Sequence, residues 1–98
     1  MNRRRTVRTI VITGATDGLG RALASTLAED DDIRLILHGR NDSRLDILRH
    51  ELADRPAQVM TVCADLAVMS EVHSLADAVA GLTDEVDVLV NNAGVRYG

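Results

Sequence analysis

Short apolar runs along the chain alternate with segments in which hydrophobic residues recur every third or fourth position. The runs are rich in valine, isoleucine and leucine and have the length of buried strands. The intervening segments have one apolar side, which is typical of amphipathic helices. The pattern predicts strands over residues 7–13, 33–38, 58–63 and 86–90, and helices over residues 18–29, 43–53 and 70–80.

Each predicted helix has its own apolar face. The faces consist of Leu19, Leu23 and Leu27 beside Ala22 and Thr26 in the first helix, Leu45, Leu48 and Leu52 in the second, and Val72, Leu75, Ala76 and Val79 in the third. Strands and helices that alternate at this spacing predict an α/β fold with parallel strands and right-handed crossovers. We expect a doubly wound sheet with four strands in the order 3-2-1-4, incomplete, with the first two helices on one face.

A glycine-rich turn joins the first strand to the first helix, where residues 13–20 read TGATDGLG. Gly14 permits a sharp turn, Gly18 lets the backbone approach a pyrophosphate, and Gly20 lets the helix pack closely. The N–H groups and positive dipole end of the helix then face the phosphates. The spacing is G-x-x-x-G-x-G, without the Gly-Lys-Ser/Thr of a P-loop. A tight turn without a ligand is the alternative.

A second motif, Asn91-Asn92-Ala93-Gly94, directly follows the fourth strand. In the expected strand order the loops after strands one and four flank one crevice, where doubly wound sheets bind ligands. Asp65-Leu66 follows the third strand at the same edge, where a carboxylate can accept a hydrogen bond from an adenine amino group. The alternatives are a plain turn for Asn91 to Gly94 and a helix cap for Asp65.

The residue at the tip of the second strand bears on cofactor choice. NAD-binding domains usually place an acidic residue there, to bind the ribose 2′-hydroxyl. This chain has Arg40 instead, followed by Asn41, and a guanidinium suits a 2′-phosphate. The tip favours NADP(H) over NAD(H), although Asp17 in the glycine turn adds no affinity for an extra phosphate. As an N-cap, Asp17 would suit the first helix.

Together, the T-G-x-x-x-G-x-G turn, the Asp-Leu pair and N-N-A-G resemble the short-chain dehydrogenase/reductase family. The resemblance spans essentially the whole chain but only the first part of a family member. It implies a Rossmann fold in which the three glycines of the turn and the Leu19 backbone hold the pyrophosphate. By the same resemblance, Asp65 and Leu66 hold the adenine and Asn92 to Gly94 line the adenosine ribose. Asn91 would stabilise the central strands. The expected cofactor-binding residues are Gly14, Thr16, Asp17, Gly18, Leu19, Gly20, Arg40, Asn41, Asp65, Leu66, Asn91, Asn92, Ala93 and Gly94.

The family's chemistry is hydride transfer between the nicotinamide and a carbonyl or alcohol, with a tyrosine, a lysine and a serine as catalytic residues. This chain has no lysine, and Tyr97 follows Gly94 too soon to be the catalytic tyrosine. We therefore expect residues 1–98 to be the N-terminal part of a single Rossmann domain, truncated before the catalytic region and inactive alone. The family also implies a homo-oligomeric parent. A non-catalytic dinucleotide-binding or sensor module is the alternative; a flavodoxin-like or receiver domain is disfavoured.

Composition excludes several other classes. The net charge of -4 argues against nucleic-acid binding, and no apolar run approaches the ~20 residues of a membrane span. Cys63 is the only cysteine, which suits a reducing cytoplasm, and we expect it to be a small core residue. The three histidines have no metal-site spacing and are expected at the surface or at strand ends.

Overall fold

The structure is a computed structural model that describes residues 7–65, 69–83 and 85–92, with only the backbone described over 69–72. Its elements are β1 (Arg8–Ile12), α1 (Gly18–Leu27), β2 (Ile33–Gly39), α2 (Asp42–Glu51), β3 (Gln58–Cys63), α3 (Met69–Leu82) and β4 (Val88–Val90). Every predicted element is present. The boundaries differ by about two residues at most, as is usual where element ends fray.

The strands form one parallel sheet in the order β3-β2-β1-β4, which confirms the predicted order 3-2-1-4. In the register of the central strands, Ile10 of β1 lies between Leu35 of β2 and Val88 of β4. Because all strands run the same way, their carboxyl ends meet at one edge of the sheet. We call this the carboxyl edge, and it holds the motifs of the β1–α1 turn and the segment after β4.

One hydrophobic cluster joins the sheet to α1 and α2. Its members include Ile10, Ile12, Leu35 and Leu37 from the sheet, Ala24 and Ala28 from α1 and the following residue, and Leu48 and Leu52 from α2 and its C-terminus. Alternate residues of one strand point to opposite faces, so α1 and α2 cover the same face of the sheet. Val11 and Ile36 are also buried and lie on the other face.

The predicted apolar face of α2 is confirmed, because Leu45, Leu48 and Leu52 are all buried. Its outer surface is charged, and there Arg49 donates to the Asp46 carboxylate at 2.5 Å. That hydrogen bond and the charge of the guanidinium hold the pKa of the Asp46 carboxyl below its usual range. The lowered pKa implies a small stabilisation of the folded state. It is present above the usual pKa of an aspartate carboxyl and is lost as the pH falls through the lowered pKa of Asp46.

The predicted apolar face of α1 is wrong, because the helix is rotated about its axis and buries a different side. Leu19 is 76% exposed, and the residues that face the sheet are Gly20 and Ala24, with Ala28 just beyond the helix. Small residues four positions apart let the helix axis lie close to the sheet, and this close approach determines which side is buried. Leu23 and Leu27 pack at the margin of the cluster.

The expectation for Cys63 is wrong. Cys63 is exposed, because β3 is an edge strand whose terminal residues are not covered. His38 lies next to the last residue of β2, at a strand end as expected, but it is only 3% exposed because β2 lies between β1 and β3. His50 and His73 are exposed as expected.

The third helix matches its predicted face in part. Leu75 and Val79 are half-buried, whereas Ala76 is exposed, and the side chain of Val72 lies outside the described residues. At 14 residues α3 is longer than α1 and α2, and no helix in the described ranges has the length and hydropathy to cross a membrane.

The exposed side of β4 predicts self-association of the isolated 98-residue chain. Among the described strands β4 pairs only with β1, and Leu89 on it is 62% exposed. Apolar strand edges pair with other chains, and a charged side chain there opposes pairing. We expect sedimentation velocity to show concentration-dependent oligomers that Leu89→Lys reduces. Ile47→Lys, at a 58% exposed position on α2, is the control and should leave the distribution unchanged. A chain that is monomeric at every concentration would contradict the prediction.

Candidate cofactor-binding site

The β1–α1 turn has the backbone conformation that its glycines predict. Gly14 and Gly18 have φ of 63° and 54°, in the left-handed region that residues with a Cβ rarely adopt. Gly14 turns the chain out of β1, and Gly18 begins α1. Apart from its chain neighbours and its own helix backbone, no atom of the described residues would lie within 4 Å of a Cβ built on Gly18, which fits a close approach of a ligand to this side of the turn.

Gly20 brings α1 into direct contact with the turn. A Cβ there would lie 2.4 Å from the Gly14 carbonyl oxygen and 2.8 Å from Nδ2 of Asn92. The sequence motif predicts close packing by Gly20, and the structure places that packing against the turn and the segment after β4.

Hydrogen bonds join the turn to the end of β4 and to the segment after it. The Thr13 N–H donates to the Val90 carbonyl at 3.0 Å, and the Asn92 N–H donates to Oγ1 of Thr13 at 2.9 Å. The Asn92 side chain donates through Nδ2 to the Gly14 carbonyl at 3.1 Å. The structure therefore brings together the two sequence motifs, which lie almost eighty positions apart.

The asparagines of the second motif have structural contacts. Oδ1 of Asn91 lies 3.4 Å from Oγ1 of Thr13, which agrees with a stabilising role between the central strands. The Asn92 side chain donates to the Gly14 carbonyl, and its expected place beside the ribose stays a prediction. Ala93 and Gly94 lie outside the described residues.

His38 is the site residue that the sequence reasoning missed. Its Nδ1 accepts the Gly14 N–H at 3.1 Å, its Nε2 lies 2.7 Å from the Ala64 carbonyl oxygen, and its own carbonyl accepts the Ala15 N–H at 2.8 Å. The side chain thus connects the glycine turn to the segment after β3. The available signal was a polar residue that directly follows the apolar run 35–37 of β2, a strand that had to be buried on both faces.

The segment after β3 reaches the same edge. The Ala64 N–H donates to the Gly39 carbonyl at 3.0 Å, which extends the β2–β3 pairing to the start of this segment. Asp65 follows directly and is half-buried. Its expected role toward an adenine stays a prediction, and Leu66 lies outside the described residues.

The end of β2 lies against the glycine turn. A Cβ on Gly39 would come within 2.9 Å of Cγ2 of Thr16, so the turn and the Arg40 loop are neighbours. Arg40 is exposed. Asn41, one of the expected cofactor ligands, caps α2, because its Oδ1 accepts the Arg44 N–H at 3.0 Å.

Asp17 occupies the N-cap position of α1, but its side chain makes no capping hydrogen bond, so the expected capping role is wrong. Oδ2 of Asp17 lies 3.9 Å from Nη1 of Arg44, and both side chains are mostly exposed. An exposed pair at this separation contributes roughly 0–1 kcal/mol.

The first turn of α1 supplies the donors of an anion site. The Arg21 N–H donates to the Asp17 carbonyl at 3.3 Å, so the N–H groups of Gly18, Leu19 and Gly20 precede the first helical hydrogen bond. These groups and the positive end of the helix dipole suit a phosphate. This chemistry fits a dinucleotide pyrophosphate.

Comparison with known proteins gives the family. The family model described as short chain dehydrogenase matches residues 8–98. The chain belongs to this family. A similar curated protein is dehydrogenase/reductase SDR family member 7B of Xenopus tropicalis. The two sequences are 40% identical over an alignment of 94 residues, which covers 90% of this chain and 30% of the relative.

Solved structures agree with this membership. The RhlG/NADP active-site complex of Pseudomonas aeruginosa matches with a TM-score of 0.84 at 28% sequence identity. The match covers 95% of this chain and 36% of the RhlG chain. L-sorbose reductase of Gluconobacter frateurii, complexed with NADPH and L-sorbose, matches with a TM-score of 0.83 at 29% sequence identity. This match covers 94% of this chain and 35% of the reductase chain. The present chain thus spans about a third of the length of these proteins.

The contact at Gly20 yields a prediction for two glycine variants. Gly20→Ala places a Cβ 2.4 Å from the backbone oxygen of Gly14, so α1 must shift from the turn. We expect the free energy of unfolding to fall by about 1–3 kcal/mol, as for overpacking elsewhere. Gly81→Ala in α3 is the matched control, since a Cβ there meets no other part of the described chain within 4 Å and alanine favours the helix by roughly 0.5–1 kcal/mol. Urea unfolding gives the free energy of unfolding of both variants. Equal changes in Gly20→Ala and Gly81→Ala would contradict the close packing of Gly20 against Gly14.

Proposed function

We propose that this chain is the cofactor-binding part of a longer NADP(H)-dependent oxidoreductase that transfers hydride between the nicotinamide and a carbonyl or alcohol substrate. The observation that carries the proposal is the junction of the Gly14 turn, the start of α1 and Asn92 at the carboxyl edge. Ligands of doubly wound sheets bind at this place, where the strand order reverses.

The described residues have distinct tasks in this proposal. The N–H groups at the start of α1 bind the pyrophosphate, and Gly18 leaves the space that the phosphates need. Asp65 accepts a hydrogen bond from the adenine, and Arg40 pairs with the 2′-phosphate. When bound, the dinucleotide supplies or accepts the hydride. The serine, tyrosine and lysine that act on the substrate oxygen would come from a region beyond these 98 residues.

The preference for NADP(H) rests on Arg40. Arg40 is exposed and follows Gly39, which lies against the turn, and the charge and forked donors of a guanidinium suit a phosphate. Two structurally similar proteins, RhlG and L-sorbose reductase, were solved with NADP and NADPH. By the same family analogy, we propose a cytoplasmic homo-oligomer.

Changing Arg40 tests the cofactor proposal. In the full-length protein that carries this segment, Arg40→Asp should weaken NADPH binding by about ten- to hundredfold, since a charged hydrogen bond contributes roughly 1.5–3 kcal/mol. NADH binding should change little or improve, because aspartate can accept from a ribose 2′-hydroxyl. Fluorescence titration with both coenzymes gives the dissociation constants.

A charge-matched variant serves as the control for Arg40→Asp. Arg8→Asp makes the same change in charge at the amino end of β1, on the opposite edge of the sheet. It should leave the coenzyme ratio unchanged. Equal wild-type affinities for NADPH and NADH would contradict the NADP(H) assignment, and binding without turnover of any carbonyl or alcohol would favour a sensor module.

The 98-residue chain by itself should not turn over carbonyl or alcohol substrates. The chain contains no lysine to lower the pKa of a tyrosine from its usual value near ~10. NADPH absorbance should stay constant with a panel of ketones and aldehydes and purified chain. Sustained oxidation that disappears in Gly18→Val would show that the chain contains catalytic groups of its own.

A further inference from the structure

We propose that His38 is a positioning residue for the dinucleotide, which holds the Gly14 turn, and through it the phosphate-binding start of α1, at a fixed place on the sheet. This inference rests on the proposed function. It follows from the two ring contacts of a side chain that is only 3% exposed.

The partners of His38 define its tautomer. The Gly14 backbone nitrogen can only donate, so Nδ1, 3.1 Å away, must accept and carries no hydrogen. The Ala64 carbonyl oxygen can only accept, so Nε2, 2.7 Å away, must carry the hydrogen. The ring is therefore neutral, with its hydrogen on Nε2. An imidazolium would direct a second donor at the Gly14 N–H, and the other neutral tautomer would satisfy neither partner.

The Gly14 residue is held from two sides. Its N–H is bound by His38 of β2, and its carbonyl accepts from the Asn92 side chain after β4. The next N–H, that of Ala15, donates to the His38 carbonyl at 2.8 Å. Two consecutive N–H groups of the glycine turn therefore bind to one residue of the neighbouring strand.

The place of α1 depends on that same Gly14 residue. The Cβ position of Gly20 lies 2.4 Å from the Gly14 oxygen, so any displacement of the turn is transmitted directly to the first turn of the helix. The donors at the start of α1 then move relative to the segment after β3, to which His38 also binds. Loss of the Nδ1 contact should therefore reduce affinity for the dinucleotide, because its phosphate and adenine sites change their separation.

Two substitutions separate the two ring contacts. His38→Asn keeps an acceptor, since Oδ1 of asparagine lies at about the position of Nδ1, and loses the contact with Ala64. His38→Gln keeps a donor near the position of Nε2 and loses the acceptor for Gly14. Each variant gives up one buried hydrogen bond, so thermal unfolding midpoints should fall by similar amounts. His73→Asn, at an exposed position of α3, is the control.

The expected result is a difference in affinity without a matching difference in stability. In the full-length protein, His38→Gln should raise the NADPH dissociation constant about tenfold, because the displaced turn changes the separation of the phosphate and adenine sites. His38→Asn should stay within about threefold of wild type, because the Gly14 contact is kept. Equal losses of affinity in both variants, or an unchanged affinity in His38→Gln, would overturn the proposal.

A readout that needs no cofactor separates this proposal from the proposed function. Long-range ¹H–¹⁵N correlation spectra identify which ring nitrogen of His38 carries the hydrogen, and we expect Nε2. Hydrogen exchange of the Gly14 amide should accelerate in His38→Gln and remain slow in His38→Asn. A protonated Nδ1, or equal exchange in both variants, would refute the positioning role even if the protein binds NADPH. If wild type binds no dinucleotide, the proposed function fails and these measurements still decide how the turn is held.

Discussion

The close approach of α1 to the end of β1 is the constraint on which the other features of this edge depend. Gly20 has no room for a Cβ, because the Gly14 oxygen and the Asn92 amide occupy that space. For the helix to start so near the strand, the chain must turn sharply, and Gly14 and Gly18 adopt left-handed conformations to do so. The glycine spacing therefore describes one compact turn whose members depend on one another.

The strand order makes this turn a junction of distant parts of the chain. β1 lies between β2 and β4, so Gly14 receives His38 from one neighbour and Asn92 from the other. At the opposite end of β1, the Thr9 N–H donates to the Asp87 carboxylate at 2.7 Å. β4 is a short strand of three residues, and these side-chain bonds hold it to β1 at both ends. Pairing β1 with the distant β4 closes a long loop and therefore costs more chain entropy than the more local β1–α1–β2 contacts.

The elements and their order could be predicted from the sequence, because hydrophobic periodicity reflects which face of each element is buried. The rotation of α1 could not, since its leucines outline one face while Gly20 and Ala24 allow closer packing on another. The role of His38 was also out of reach. It depends on partners 24 and 26 positions away, and their approach follows from the register of three strands. The Asn92 contact has the same origin, because only the strand order brings it to Gly14.

Charge at the carboxyl edge explains how a chain with Asp17 in its glycine turn can still suit an anionic ligand. A carboxylate at the start of α1 would compete with a phosphate for the helix dipole. In the structure this carboxylate lies 3.9 Å from the Arg44 guanidinium, which offsets its charge. No ion pair joins Arg40 to any residue in the described ranges, so its charge is not offset in this way. Asp17, Arg44 and Arg40 together carry one net positive charge, and the proposed preference for a 2′-phosphate depends on the charge of Arg40.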